Sequence, residues 1–176
     1  VLANPTLGTI VSSSGSQFTW AGNSRENRLT PFANDPLTDP TSEAFYVRED
    51  ESGAVWGATP SPLPRRPDGG KWVIRHTAGV TRYQHRVAGL LQELTVFVAP
   101  EDPVKLAMLT LTNDSNRRRR LSVFGYVEWC LGAPRIGERR FVVTEYDRTT
   151  GALIASNRYN MEYSDAVAFL QATEPA

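Results

Sequence analysis

Cysteine, histidine and net charge are all scarce in this sequence. Cys130 is the only cysteine, so no internal disulfide can form, and so little sulfur fits a reducing compartment. The only histidines, His76 and His85, stand far from Cys130 and give no zinc-ligand spacing. Nineteen Lys and Arg balance nineteen Asp and Glu. A formal charge of zero removes the long-range pull toward nucleic acid or an anionic membrane. No run approaches the roughly 20 apolar residues of a membrane helix. Long stretches with helical spacing, internal repeats, glycine-rich phosphate loops and nucleophile elbows are missing too. Residues 1–5 have neither the basic nor the apolar region of a signal peptide. The chain opens without Met and closes just after an apolar, strand-like run, so it reads as a piece of a longer polypeptide.

What is present is a strand vocabulary. Hydrophobic residues make up 40% and aromatics 10% of 176 residues, enough for one folded domain with a real core. Short runs of Val, Leu, Phe, Tyr, Thr and Trp are broken by Gly, Pro, Asn and Asp. Residues 9–11 and 17–20 predict a hairpin around a serine-rich turn, and 44–48 with 54–56 flank a polar turn that closes on Gly53. Residues 59–70 hold four prolines and predict a loop. Over 80–87, Tyr83, His85 and Val87 share one face while Arg82, Gln84 and Arg86 share the other. Residues 91–98 and 104–111 are apolar on both faces, as between two layers, with a turn at 113–116 before another apolar run at 121–129. Residues 141–143, 153–155 and 166–170 complete about ten or eleven strands at regular spacing. The predicted fold is all-β, a two-layer antiparallel sandwich.

The most unusual segment is NSRENRLTPFANDP at residues 23–36. It is long and polar, and Trp20, Pro31, Phe32 and Pro36 favour an ordered loop. Arg, Asn, Asp and Thr are the side chains that hydrogen-bond sugar hydroxyls and phosphate oxygens. An ordered loop held by its own Asx turns is the plainer reading. The nearby carboxylates Glu26, Asp35, Asp39 and Glu43 read as solvated turn residues rather than a glycosidase pair. His76 and His85 allow a mutarotase-like proton transfer, but His85 sits on the packed face of its strand. Arg117, Arg118, Arg119 and Arg120 follow a turn and enter a strand, so alternate side chains point to opposite sides. They read as a solvated hairpin shoulder and not as a nucleic-acid site. Trp20, Trp56, Trp72 and Trp129 could stack on pyranose rings, although aromatics on strands more often fill cores.

The run FTWAGNSRENRLTPFANDP at residues 18–36 resembles the start of the phosphorylase module at the carboxyl end of cyclic β-1,2-glucan synthases of the NdvB type. The resemblance continues at 43–48, Trp56, Arg75 with His76 and Gly79, 91–98, 102–105, Asn113 with 117–121, and 126–129. That module belongs with cellobiose, cellodextrin and chitobiose phosphorylases in glycoside hydrolase family 94, formerly glycosyltransferase family 36. The resemblance implies one supersandwich domain over residues 1–176, similar to galactose mutarotase and lacking its last strands. It also implies a separate catalytic (α/α)6 barrel outside this chain, so no catalytic residue is assigned here. The reaction would be inverting phosphorolysis of a β-glucoside by inorganic phosphate, with no metal or organic cofactor, serving glucan chain-length control. Arg25, Asn27, Arg28, Thr30, Asn34 and Asp35 are then expected to face β-1,2-glucan, in a homodimer whose sandwich loop roofs an active site. The parent is expected at the bacterial inner membrane, with this segment on the cytoplasmic side and touching neither membrane nor nucleic acid. A stand-alone glycan-binding module and a mutarotase-like sugar epimerase are the alternatives. An exposed row of Trp56 and Trp72 would favour the first, and His85 meeting a carboxylate in a cleft the second.

Overall fold

The computed structural model describes residues 1–35, 37–64, 70–133 and 138–173. Pro36, Pro67 and the last three residues of the sequence lie outside them. Among the described residues there is no α-helix. Thirteen strands and one 3-10 turn at Glu138–Phe141 make up the regular structure.

Every ladder is antiparallel. Leu2–Ala3 (β1), Leu7–Val11 (β2) and Gln17–Ala21 (β3) form a first sheet in that order. Glu43–Glu49 (β4), Val55–Gly57 (β5) and Leu121–Val127 (β10) form a second, ordered β10-β4-β5. Trp72–Thr77 (β6), Val80–Val87 (β7), Leu90–Val98 (β8) and Lys105–Asn113 (β9) form a meander of four. Val143–Asp147 (β11), Ala152–Ser156 (β12) and Val167–Gln171 (β13) form the last sheet.

The predicted alternation is borne out in β7. Thr81, Tyr83, His85 and Val87 are buried, while Arg82 and Arg86 are exposed. Their buried face continues through Leu90, Gln92, Leu94 and Val96 of β8. It packs on Leu2, Val11, Phe45 and Ala58 at one end and on Val47, Trp56 and Leu121 at the other. The four-stranded sheet is therefore one layer, and the first two sheets lie across its inner face. Gln92 is fully buried in this core. It accepts from Trp56 Nε1 at 2.8 Å and donates to the Gly57 carbonyl at 3.0 Å, so both polar ends are satisfied.

Three expectations need correction. The strand β6 has no counterpart in the sequence reading, because Arg75 and His76 break its apolar pattern. Its ladder with β7 supplies the order that its side chains do not. β9 is apolar on both faces in sequence, yet Met108 on its outer face is 56% exposed, so only the inner face meets a second layer. The 141–143 strand begins two residues later, because the 3-10 turn takes up Phe141. β10 is an edge strand, with Val123, Phe124 and Tyr126 about half exposed. Val143, Val167 and Phe169 are also exposed on one face of the last sheet.

Candidate functional site

The connection from β3 to β4, residues 22–42, is the long polar loop singled out in the sequence. It is held on two sides. Toward the β2–β3 hairpin, Leu29 and Thr30 donate their amides to the Thr19 carbonyl, and Ala21 donates to the Asn27 carbonyl. Toward residues 128–133, Cys130 donates to the Leu29 carbonyl at 2.9 Å and Gly132 to that of Arg28 at 3.0 Å. Arg28 thereby bridges Trp20 and Gly132. Asn160 Nδ2 reaches the carbonyls of Glu26 and Leu131, each at 3.3 Å. Below the loop, Leu29 joins Trp129, Leu131, Ala155 and Ala168 in a satellite core that ties it to the last sheet. The loop's far end is tied to the hairpin turn, where Ser12 and Ser14 donate to the Asp39 carboxylate.

Within this frame the six expected sugar-facing residues divide. Asn27 and Thr30 are turned inward. Asn27 is buried and donates its amide to the Ala21 carbonyl at 3.0 Å. Thr30 is 1% exposed, and its hydroxyl lies between the Thr19 amide and the Glu43 carboxylate. Neither side chain reaches the surface of this chain, because each satisfies a buried backbone or carboxylate group. Arg25 points outward beside Glu26, with its side chain 85% exposed. Arg28 is half-buried: Nε donates to the Ser24 carbonyl and the guanidinium lies 5.5 Å from the Phe18 ring centroid. Asn34 is exposed and takes a left-handed backbone (φ 50°), which asparagine tolerates better than most residues. Asp35 caps a local turn, accepting from Leu37 N, Thr38 N and Thr38 Oγ1. The Thr38 hydroxyl, then those amides, hold its carboxyl below the ordinary value.

Three aromatic rings cluster beside Arg28. Phe18 is stacked on Phe32 at 4.6 Å and tilted toward Trp20 at 5.2 Å. Trp20 and Phe32 are partly exposed, whereas Phe18 is buried. Partly exposed Trp20 and Phe32 rings near the Arg28 guanidinium are chemically suited to a pyranose, with apolar C–H face on ring and hydroxyls on polar groups.

The carboxylates nearby do not behave alike. Glu43 was expected in a solvated turn. It is instead a buried residue at the start of β4, where it pairs with Lys105 of β9. Burial raises its pKa, but Lys105 and the hydroxyls of Thr19 and Thr30 overcompensate, and the net shift is downward. Nothing in the local sequence marks Glu43 or Lys105 as a pair, since 62 positions separate them.

The other candidates settle into structural roles. Trp56 is interior, and Trp72 stacks on His85 at 4.2 Å, so no exposed Trp56–Trp72 row exists. His85 Nε2 lies 3.1 Å from the Gly70 carbonyl, and His76 contacts Thr81 and Ser13. His76 pairs with Thr81, and His85 with Trp72, at opposite ends of the β6–β7 ladder. Four rungs at ~3.3 Å place the two histidines about 13 Å apart, too far to share a proton relay on one sugar. Arg117 and Arg119 both bind Glu49; Arg117, Arg118 and Arg120 are exposed, as a solvated shoulder requires, whereas the Arg119 side chain is buried against that carboxylate.

Comparison with known proteins follows the same lines. The family described as "Glycosyl hydrolase 94, supersandwich domain" matches residues 1–176, and the chain belongs to it. The chain is 37% identical over 169 residues to the cyclic beta-(1,2)-glucan synthase NdvB of Rhizobium meliloti (strain 1021), covering 96% of this chain and 6% of that protein. It is 34% identical over 115 residues to a solabiose phosphorylase of Paenibacillus borealis, covering 64% of the chain and 15% of the relative. It is 25% identical over 121 residues to an N,N'-diacetylchitobiose phosphorylase of Vibrio furnissii, covering 69% and 15%. The chain thus spans a small part of the length of these relatives.

Proposed function

We propose that this supersandwich domain of glycoside hydrolase family 94 is a non-catalytic sugar-site domain. It would work within a longer phosphorylase polypeptide that acts on β-1,2-glucan or a related β-glucoside. A catalytic barrel elsewhere in that polypeptide would carry out inverting phosphorolysis, and this domain would lend its β3–β4 loop to the wall of the sugar site. Pairing of two such polypeptides would bring the loop over an active site, at the cytoplasmic face of the inner membrane. The observation that carries the reading is the loop itself. It is long and polar, yet anchored by buried hydrogen bonds at Asn27 and Thr30. Arg25 and Asn34 are left exposed, and the half-buried Arg28 lies beside Phe18 of the Trp20–Phe18–Phe32 row. The choice of β-1,2-glucan draws on the likeness to the cyclic glucan synthase.

The test is steady-state kinetics of the full phosphorolytic polypeptide carrying Arg28→Ala. KM for linear β-1,2-glucan should rise about tenfold with kcat nearly unchanged, as for loss of binding made equally in ground and transition states. An unchanged KM removes the loop from the sugar site.

A further inference from the structure

The outward half of the loop depends on an inward half that is built as a lock. Glu43 Oε1 accepts the Thr19 hydroxyl at 2.6 Å and the Thr30 hydroxyl at 3.0 Å. Glu43 Oε2 pairs with the Lys105 ammonium, which also donates to Thr19 Oγ1 at 2.8 Å and to Gln17 Oε1 at 3.0 Å. An ionised carboxylate can only accept, so the Thr30 proton is committed to Glu43. The lone pairs of that hydroxyl are then left for the Thr19 amide, 3.0 Å away. Proton direction and rotamer at Thr30 are therefore both dictated by the ion pair. A methyl in place of the hydroxyl would leave a buried amide and part of a buried carboxylate without a partner.

Thr30 sits two residues after Arg28 and four before Asn34. Its backbone is fixed by the Thr19 carbonyl, and its neighbour Leu29 is fixed by Cys130. A clamp at this point limits how far the two flanking side chains can move relative to each other. It also places the ordering cost of the loop in folding rather than in sugar binding.

We infer that Thr30 is a positioning residue of this loop. Its hydroxyl, held by the Glu43–Lys105 pair, keeps Arg28 and Asn34 in a binding-ready pose without itself touching sugar. The inference deepens the sugar-site reading above and rests on it.

Thr30→Val and Thr30→Ser separate positioning from mere stability. In this chain, hydrogen exchange should quicken about tenfold at the Leu29 and Thr30 amides of Thr30→Val. The β7 and β8 amides should stay within about twofold, and Thr30→Ser should restore the loop. In the full phosphorolytic polypeptide, Thr30→Val should raise KM for linear β-1,2-glucan about tenfold with kcat nearly constant, and Thr30→Ser should bring it back. Uniform acceleration across all strands would reduce Thr30 to a contributor to global stability and overturn the inference. An unchanged KM for Thr30→Val, beside a raised KM for Arg28→Ala, would overturn it while sparing the sugar-site reading. Unchanged KM in both variants would remove the two together.

Discussion

Breaking the Glu43–Lys105 pair from either side should cost far more than a surface ion pair is worth. The Glu43 and Lys105 side chains are only 11% and 13% exposed, so each charge has given up most of its water. Lys105→Met leaves a buried carboxylate with only the Thr19 and Thr30 hydroxyls. Glu43→Gln retains an acceptor for those hydroxyls but strands the ammonium on Gln17 and Thr19. Removing one partner of a buried pair costs about 3–5 kcal/mol, against about 0–1 kcal/mol for an exposed pair. The double variant removes both charges while the introduced amide at position 43 still serves the hydroxyls. Its loss should fall short of the summed single losses by about 2 kcal/mol or more. The assay is urea unfolding of the four proteins at pH 7, with m-values checked for constancy. The pH dependence supplies a second reading. The folded carboxyl of Glu43 titrates below its ordinary value of 4.5. Its stabilisation is therefore present above pH 4.5 and is lost as pH falls through the folded pKa. The coupling between the two sites should shrink in the same window. Single losses under about 1 kcal/mol that simply add would show that water screens the pair, and would refute the argument.

Other perturbations follow from close packing and open edges. Gln92→Leu makes the core more apolar yet should destabilise by about 2 kcal/mol or more in urea, because the Trp56 indole N–H and the Gly57 carbonyl lose their partner. A gain in stability would sink that account. Gly8→Ala should expel Trp20, since a methyl there would overlap the indole carbons. We expect a red-shifted tryptophan emission and a loss of about 1–3 kcal/mol, and an unshifted spectrum would mean that the ring is not seated as described. Among the described residues β10 is an edge strand that carries no charge or proline and exposes Val123, Phe124 and Tyr126. Sedimentation of this chain should show concentration-dependent association that Phe124→Lys weakens. A monomer at high concentration would show that the edge is blunted some other way.

The parts of this molecule that were legible in sequence are those set by local pattern. β7 could be read from Tyr83, His85 and Val87, because period-two alternation is a property of neighbours. The β2–β3 hairpin announced itself through a serine-rich turn and the β4–β5 hairpin through a polar turn closing on Gly53, and the length and polarity of residues 23–36 marked the loop. What could not be read is which way each polar side chain turns, since that is decided by partners remote in sequence. Thr30 looks no different from an outward threonine until Glu43 is placed 3.0 Å away. Glu43 looks like a turn residue until Lys105 arrives from 62 positions later. Gln92 lies within a run read simply as apolar on both faces, although its amide bridges Trp56 and Gly57 across the core. The same residue types that bind sugar hydroxyls also bind backbone, and in a long loop both demands must be met by neighbouring positions. Residue chemistry together with the family resemblance therefore nominated six candidates, and the buried network sorted them. Asn27 and Thr30 hold the loop, Asp35 shapes a turn, Arg25 and Asn34 remain exposed, and Arg28 lies half-buried beside Phe18. A loop whose scaffold and outward groups alternate along one short segment cannot easily exchange one role for the other. Thr30→Val should therefore disturb the outward residues even though it alters nothing on the surface.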